Sequence, residues 1–263
     1  MGKVIIDGDS YVFKAACATS TLINIDGEMY YEGYDLNKAR KYMQDTVNNI
    51  CEKCSANDYV IVLASVGTKN FRYEINPTYK SNRKTVKKPI MLDLVRKMVI
   101  EEFNTACIPH LEADDVVRIM YEREDGNAVA SIDKDLKTFP CKIYDSYHDT
   151  FTYIMPQQAE ANFKRQLLMG DSADGYAGIK GVGKATADKL LMDGIDIDDI
   201  IKMYIDKGMT MDDFKRTYNS AKIIGNEEYN NGIITLYGGE TFDTRKMDTK
   251  DNEEECVGMA KTV

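Results

Sequence analysis

The stretch VIIDGDSYVF, residues 4–13, runs an apolar strand-like segment into two carboxylates, Asp7 and Asp9, separated by a single glycine. A strand that delivers acids to its C-terminal end is the pattern of an open α/β sheet, whose sites lie at that edge. Two chemistries want this arrangement. A phosphotransferase of the haloacid-dehalogenase type uses the first acid as nucleophile and the second as general acid. A metal-dependent nuclease uses Asp7 to help hold a divalent cation. These ten residues fit both.

Working outward, strand-like runs recur at VIID (4–7), YVIVLAS (59–65), NAVASI (127–132) and KIYD (142–145). Between them, apolar residues at helical spacing predict helices over 35–54, 89–103, 112–122 and 156–169. The alternation predicts an α/β domain over residues 1–155, with a largely parallel central sheet and helices on both faces. Inside it, residues 67–103 form a basic segment, of which 67–88 is polar and unpatterned and is expected to be a long mobile loop. After residue 155 the alternation stops. A helical subdomain is expected over 156–240, centred on GDSADGYAGIKGVGKATADKLL (170–191), followed by a weakly ordered tail over 241–263, where large apolar residues are few.

The 263 residues are 43% hydrophobic and 29% charged, which is ordinary globular composition and excludes a disordered or fibrous chain. The N-terminus meets charge too early for a signal peptide, and the longest apolar run, YVIVLASV, is too short to span a bilayer. A soluble cytoplasmic protein with no membrane partner is expected. Six cysteines lie without framework spacing, and the one CxxC, Cys51 and Cys54, falls within a helical pattern, so reduced thiols are expected rather than zinc. His110 and His148 have no nucleophile constellation around them.

The net charge of −9 conceals a split. From Lys69 to Lys97 nine basic residues face only Glu74 and Asp93, a local charge of +7 that leaves −16 for the rest. A basic anion-binding segment beside an acidic centre suits a nucleic-acid metalloenzyme, although a solvated basic face has the same composition.

Three further acid clusters fall at element ends: Glu112, Asp114 and Asp115 at a helix start, Asp133 and Asp135 after the third strand, and Asp171 and Asp174 in MGDSADG. Each has a structural explanation by itself, because acids in a first helical turn favour the macrodipole and Asp is common after strands. Convergence changes the weighing. Successive strands of a right-handed α/β sheet end on one edge, so Asp7 and Asp133 meet there and the 112–115 helix start can join them. So many carboxylates resist ionisation unless cations neutralise them, and all-oxygen ligation favours magnesium or manganese over zinc. The phosphatase alternative leaves LEADD and SIDKD without roles and takes second place. In AGIKGVGKATADKLL (177–191), glycines 178, 181 and 183 free backbone N–H groups to approach a phosphate, and with no preceding strand a helix–hairpin–helix grip on duplex backbone fits better than a dinucleotide loop.

The ordered blocks VIIDGDSYVFKA, NFRYEINPTYKSNRKTVKKP, LEADDVV, SIDKDLKTFPC and GDSADGYAGIKGVGKATA resemble the 5′–3′ exonuclease/flap endonuclease family, in particular its short bacteriophage-encoded exonucleases. The resemblance implies a PIN-like 5′ nuclease fold and a two-metal phosphodiesterase acting at 5′ ends or flaps of DNA in phage replication or degradation. The implied reaction leaves a 5′-phosphate and a 3′-hydroxyl; a monomer is expected, and activity on RNA–DNA hybrids and the choice between exonuclease and flap cleavage stay open in the sequence. The resemblance carries over Asp7, Glu112, Asp114, Asp115, Asp133, Asp135, Asp171 and Asp174 as ligands of two magnesium or manganese ions. Lys80, Arg72 and Asp133 carry over as catalytic groups. Arg72, Tyr79, Lys80, Arg83 and Lys84 would contact DNA from the arch, with Tyr79 stacking on a base. Gly178, Gly181, Gly183 and Lys184 would do so from the hairpin, where a potassium ion is also expected. One departure is plain: relatives carry an aspartate after the second strand, whereas LASVGTKNFR offers Ser65 and Gly67 there. That puts the affinity of the first metal in doubt and keeps a non-catalytic DNA-binding relative as an alternative.

Overall fold

The structure, a computed structural model, describes residues 2–65, 69–82, 88–123 and 128–247. Gly67, Arg83, Lys84, Lys87 and the tail from residue 248 lie outside the described residues. The first half contains strands β1 (Gly2–Asp7), β2 (Ser20–Ile25), β3 (Glu28–Tyr34), β4 (Ala56–Val62), β5 (Thr105–Ala106), β6 (Ala128–Ala130), β7 (Cys141–Asp145) and β8 (Thr150–Ile154). Its helices are α1 (Gly8–Ala18), α2 (Leu36–Cys54), α3 (Arg72–Ile75), α4 (Leu92–Glu102) and α5 (Ala113–Arg123).

Six of these strands form one sheet in the order β5-β4-β1-β6-β7-β8, parallel throughout except for the β7–β8 pair. β1 sits in the middle, hydrogen-bonded on both sides, and its residues Val4, Ile5 and Ile6 are buried, as a central parallel strand requires. One sheet face packs against α1, α2 and α4, the other against α5 and the C-terminal strands. α2 shows how the sequence sets this up. Asp35 caps it by accepting the N–H groups of Asn37 and Lys38, and Ala39, Met43, Val47 and Ile50 line its inner face at three- to four-residue spacing. Burial of the three larger of these side chains contributes roughly 1.5–3 kcal/mol each. Cys51 and Cys54 rest partly buried against the same core, as a shared helical face predicts.

The passage from β1 into α1 has no connecting loop, and this is what Gly8 makes possible. A Cβ there would lie 2.4–2.8 Å from the Ile61 and Leu63 side chains and the Val62 carbonyl. The DGD of the opening stretch is therefore a strand end, a close approach to β4, and a helix first turn.

The second half begins with α6 (Pro156–Met169), which starts on its proline, followed by the short hairpin β9 (Gly170–Asp171) and β10 (Tyr176–Ala177). Then come α7 (Lys184–Met192), α8 (Ile197–Asp206) and α9 (Met211–Ala221), which share a core built on Leu167, Ile200, Tyr204 and Phe214. The chain then returns to the first half. Strands β11 (Tyr229–Asn230), β12 (Ile233–Thr235) and β13 (Thr241–Asp243) form a small antiparallel sheet, and Ile223, Ile224, Ile234 and Leu236 join the core around α5.

Two expectations need correction, and one element has no counterpart among them. Residues 69–82 are not a mobile loop. They carry α3 and bury Phe71, Arg72 and Tyr79, each with at most 2% of its surface exposed. Residues 241–247 do not begin a weakly ordered tail, because β13 pairs with β12 and Thr244 is buried. The hairpin β2–β3 was not expected at all, although its turn, Asp26–Gly27 with both residues at positive φ, is the strongest short hairpin signal a sequence offers. Among the described residues no helix is long and apolar enough to cross a membrane.

Candidate active site

At the C-terminal edge of the parallel strands lies a cleft of about 900 Å³ lined by Asp7, Asp9, Ser10, Ala64, Tyr73, Lys80, Lys88, Glu112, Ala113, Asp114, Asp133, Asp135 and Asp174. Asp7 arrives as the last residue of β1. Ser131, just beyond β6, donates its hydroxyl to Asp7 Oδ2 at 2.7 Å and accepts the Asp133 N–H at 2.9 Å. Asp133 in turn accepts the Asp135 N–H at 2.9 Å, and Gln166 on α6 donates its amide to Asp135 Oδ1, also at 2.9 Å. SIDKD is thus a chain of side-chain-to-backbone clasps that fixes two carboxylates toward the cleft.

The acids raise one another's proton affinity. Burial, then Asp9 and Asp133, push Asp7 up to about 7. Burial, with Asp7, Asp133 and Glu112, holds Asp114 well above the usual carboxylate range. Asp135 is pushed up to about 6 by burial and Asp133. Glu112 behaves oppositely. Burial opposes its charge, but Lys80 and Arg72 outweigh it and hold the carboxyl below its ordinary value.

Lys80 is the cation that meets the acids of the cleft; Lys88 also lines it. The Lys80 Nζ lies 2.6 Å from Glu112 Oε1 and 3.8 Å from Asp174 Oδ2, and the Lys80 backbone N–H donates to the Asp174 carbonyl at 2.8 Å. Its φ of 51° is the left-handed region, which a non-glycine residue occupies at a cost of about 1 kcal/mol or more when its surroundings over-determine it. The turn 76–82 and the β9–β10 hairpin are here locked together across the cleft wall.

Six of the eight expected metal ligands, Asp7, Glu112, Asp114, Asp133, Asp135 and Asp174, therefore share one cleft with Lys80. The other expected residues are placed differently. Asp115 is fully buried and makes a two-pronged ion pair with Arg72, both distances 2.7 Å, while accepting the Ile224 and Glu112 N–H groups. Its lone pairs are spent inside the fold. Arg72, expected to hold a phosphate, is 2% exposed and also donates to the Ser220 and Lys222 carbonyls, so it is a strut between α5 and α9. Tyr79, expected to stack on a base, is likewise buried, its hydroxyl donating to Glu112 at 3.0 Å. Asp171 turns away to Lys134, 3.1 Å from its Nζ, and caps the turn that carries Asp174.

In the hairpin region, Gly178 is required by packing, since a Cβ would strike the backbone of residues 168–170 at 2.3–2.5 Å. Gly181, at φ 83°, and Gly183, the N-cap of α7, stand in open space, and Lys184 is the first residue of α7. Ser131 and Gln166 escaped the sequence reading. The serine was legible as the residue preceding SIDKD's acids in a turn, whereas the glutamine, a full helix away, carried no signal.

The donor set suits a hard divalent cation: oxygen ligands only, with several carboxyls pushed toward neutrality by burial and then by mutual repulsion, both of which bound charge would offset. Among the described residues the acids ring the cleft and do not already close three-deep on one point.

Comparison with known proteins bears on what this cleft belongs to. The family model described as the 5′-3′ exonuclease N-terminal resolvase-like domain matches residues 3–164. The exonuclease of Escherichia phage T7 is 33% identical over 204 residues, covering 72% of this chain and 66% of the T7 protein, just under two thirds of its length. The exodeoxyribonuclease of Enterobacteria phage T3 is 32% identical over 226 residues, covering 80% of this chain and 74% of that protein. Among solved structures, a T5 5′-exonuclease with divalent zinc ions bound superimposes with a TM-score of 0.63 at 18% identity, over 84% of this chain and 89% of that one. The T5 flap endonuclease in a complex with DNA and metal ions gives 0.59 at 19% identity, over 83% and 88%. At these identities the likeness to the solved structures is one of fold.

Proposed function

This chain belongs to the 5′-3′ exonuclease family, and on that premise we propose that it hydrolyses DNA phosphodiester bonds at 5′ ends, as a 5′–3′ exonuclease and flap endonuclease dependent on divalent cations. The observation that carries the proposal is the meeting of Asp7, Asp114, Asp133, Asp135 and Asp174 with Lys80 in one cleft at the sheet edge. We assign Asp7, Glu112, Asp114, Asp133, Asp135 and Asp174 to holding magnesium or manganese, two ions per site. Cations so held supply Lewis-acid stabilisation of phosphate oxygens and a nucleophilic water at neutral pH.

The chain's own residues do the rest. Ser131 orients Asp7 and Asp133 together, and Gln166 fixes Asp135. Lys80 offers its ammonium group to the scissile phosphate, where negative charge grows on the way to the transition state; Glu112, accepting from its Nζ, holds it aimed until substrate arrives. The open turn at Gly181 and the N-terminus of α7 with Lys184 bind duplex phosphate without reading sequence, and a potassium ion there would serve the same contact. Arg72 and Asp115 hold the start of α5 against α9, so that Glu112 and Asp114 face the cleft.

Cleavage of a 5′-labelled flap and a blunt duplex, with and without magnesium, tests the proposal. Magnesium-dependent release of 5′-terminal fragments is expected, and Asp133→Asn should abolish it while binding DNA as tightly as wild type or more so. Near-normal turnover by that variant overturns the assignment of the acids. DNA binding without cleavage in wild type would make the chain a non-catalytic relative.

A further inference from the structure

β1 ends in Asp7 and β6 leads to Asp133 and Asp135, but β4, on the other side of β1, runs into Leu63, Ala64 and Ser65 with no acid. Asp9 fills that place from a different element. In the first turn of α1, its Oδ2 accepts the Ala64 N–H at 3.2 Å, which pins the carboxylate to the end of β4 and into the cleft wall beside Asp7. Its Oδ1 accepts Arg96 Nη1 from α4 at 2.8 Å, and Arg96 also donates to the Ala64 carbonyl. We propose that Asp9 is the carboxylate serving the β4 side of the cation centre, and that Arg96 is a built-in cation competing with the divalent ion for it.

Two features make the Arg96 pairing displaceable. Asp9 keeps 38% of its side chain exposed, so one flank of the pair is open to the cleft. Arg96 Nε is buried with no acceptor among the described residues, a desolvation cost the pose does not recover. A divalent ion offers Asp9 more charge than a guanidinium does, and α4 follows directly on the basic segment ending at Lys88. Charging the centre would therefore free Arg96, held beside the cleft wall by Asp9 and the Ala64 carbonyl, for a substrate phosphate.

The inference rests on the cation-dependent function proposed above. It makes a prediction that a merely structural ion pair does not: the two partners act with opposite sign. Asp9→Asn, isosteric but uncharged, should weaken binding of Mn2+ tenfold or more, the lower end of what groups supporting a metal centre contribute. Arg96→Gln should tighten Mn2+ binding, roughly three- to tenfold, by removing a positive charge from the wall. Arg96→Lys, which keeps the charge, should bind Mn2+ like wild type. The measurement is calorimetric titration of each folded full-length variant with MnCl2 alone, with thermal melts in EDTA establishing folding. Should Asp9→Asn fail to fold, the contrast between Arg96→Gln and Arg96→Lys decides the matter without it. Weakening by both Asp9→Asn and Arg96→Gln, or no change in either, overturns the inference and makes the pair a fold clamp. Wild type that binds no Mn2+ overturns the proposed function itself and the inference with it.

Discussion

The acid centre stores electrostatic strain, and its size can be worked out at Asp7. The group moves from an ordinary 3.8 to about 7 on folding, chiefly because it is buried and faces Asp9 and Asp133. A folded value above the unfolded one means that the protonated form belongs to the folded state. The contribution to stability is fully present below about pH 4 and is lost as pH rises through 7. At pH 8 the ionised carboxylate costs the fold roughly 4 kcal/mol relative to a neutral group there, and at pH 4.5 about 1 kcal/mol. Asp7→Asn keeps the shape and can still accept from Ser131, while its amide donates toward the neighbouring carboxylates. In EDTA, urea unfolding should therefore find the variant more stable than wild type. The gap should be about 1 kcal/mol at pH 4.5 and widen to about 4 kcal/mol at pH 8, or roughly 10 °C in Tm for a chain of this size. Groups held low in the fold, such as Glu112 and Asp171, gain stability with rising pH but cancel in the subtraction. Magnesium should narrow the pH 8 gap to about 1 kcal/mol by stabilising wild type, by about 2.7 kcal/mol at a hundredfold excess over its dissociation constant. Parallel stability curves for the two proteins from pH 4.5 to 8 would show that Asp7 carries no such strain and refute the reasoning.

Three other outcomes follow from the placements described. Lys80→Ala should lower the single-turnover cleavage rate by a hundredfold or more while changing the DNA dissociation constant only a few-fold; a change in affinity alone would make Lys80 a tether. Asp115→Asn should destabilise the fold by roughly 3–5 kcal/mol, with or without magnesium, because it strands the buried Arg72 charge; loss of metal affinity at unchanged stability would return Asp115 to the ligand set. Gly181→Ala, at φ 83°, should cost about 1 kcal/mol and weaken duplex binding more than single-strand binding, as read by fluorescence anisotropy on both. Equal losses on the two substrates would point to general misfolding.

What the sequence could say about this site follows from what fixes a side chain's direction. Asp7 and Asp133 were legible because strand ends in a parallel sheet have only one edge to reach, and that holds whatever the neighbouring residues are. Glu112, Asp114 and Asp115 were legible as a cluster but not as individuals. Successive residues on a helix point about 100° apart. When Asp114 faces the cleft, Asp115 turns into the fold, where it meets Arg72. The basic run was legible as charge, and here too charge alone names no partner: Arg72 is consumed by Asp115, Arg96 by Asp9, and Lys80 meets the cleft. The fold thus sorts its acids. Asp115 and Asp171 are matched to basic side chains supplied by the chain, at 2.7 and 3.1 Å, and lie off the cleft lining, whereas Asp9, 2.8 Å from Arg96, keeps an open flank on the cleft. Asp7, Asp114 and Asp135 are instead packed against one another and pushed toward neutrality. Pairing alone does not divide structural acids from the proposed ligands, since Glu112 lies 2.6 Å from Lys80 and still lines the cleft; the division is whether a carboxylate reaches the cleft at all. It depends on distances between elements that are far apart in sequence, which is why residue type and spacing locate the cluster but cannot divide it.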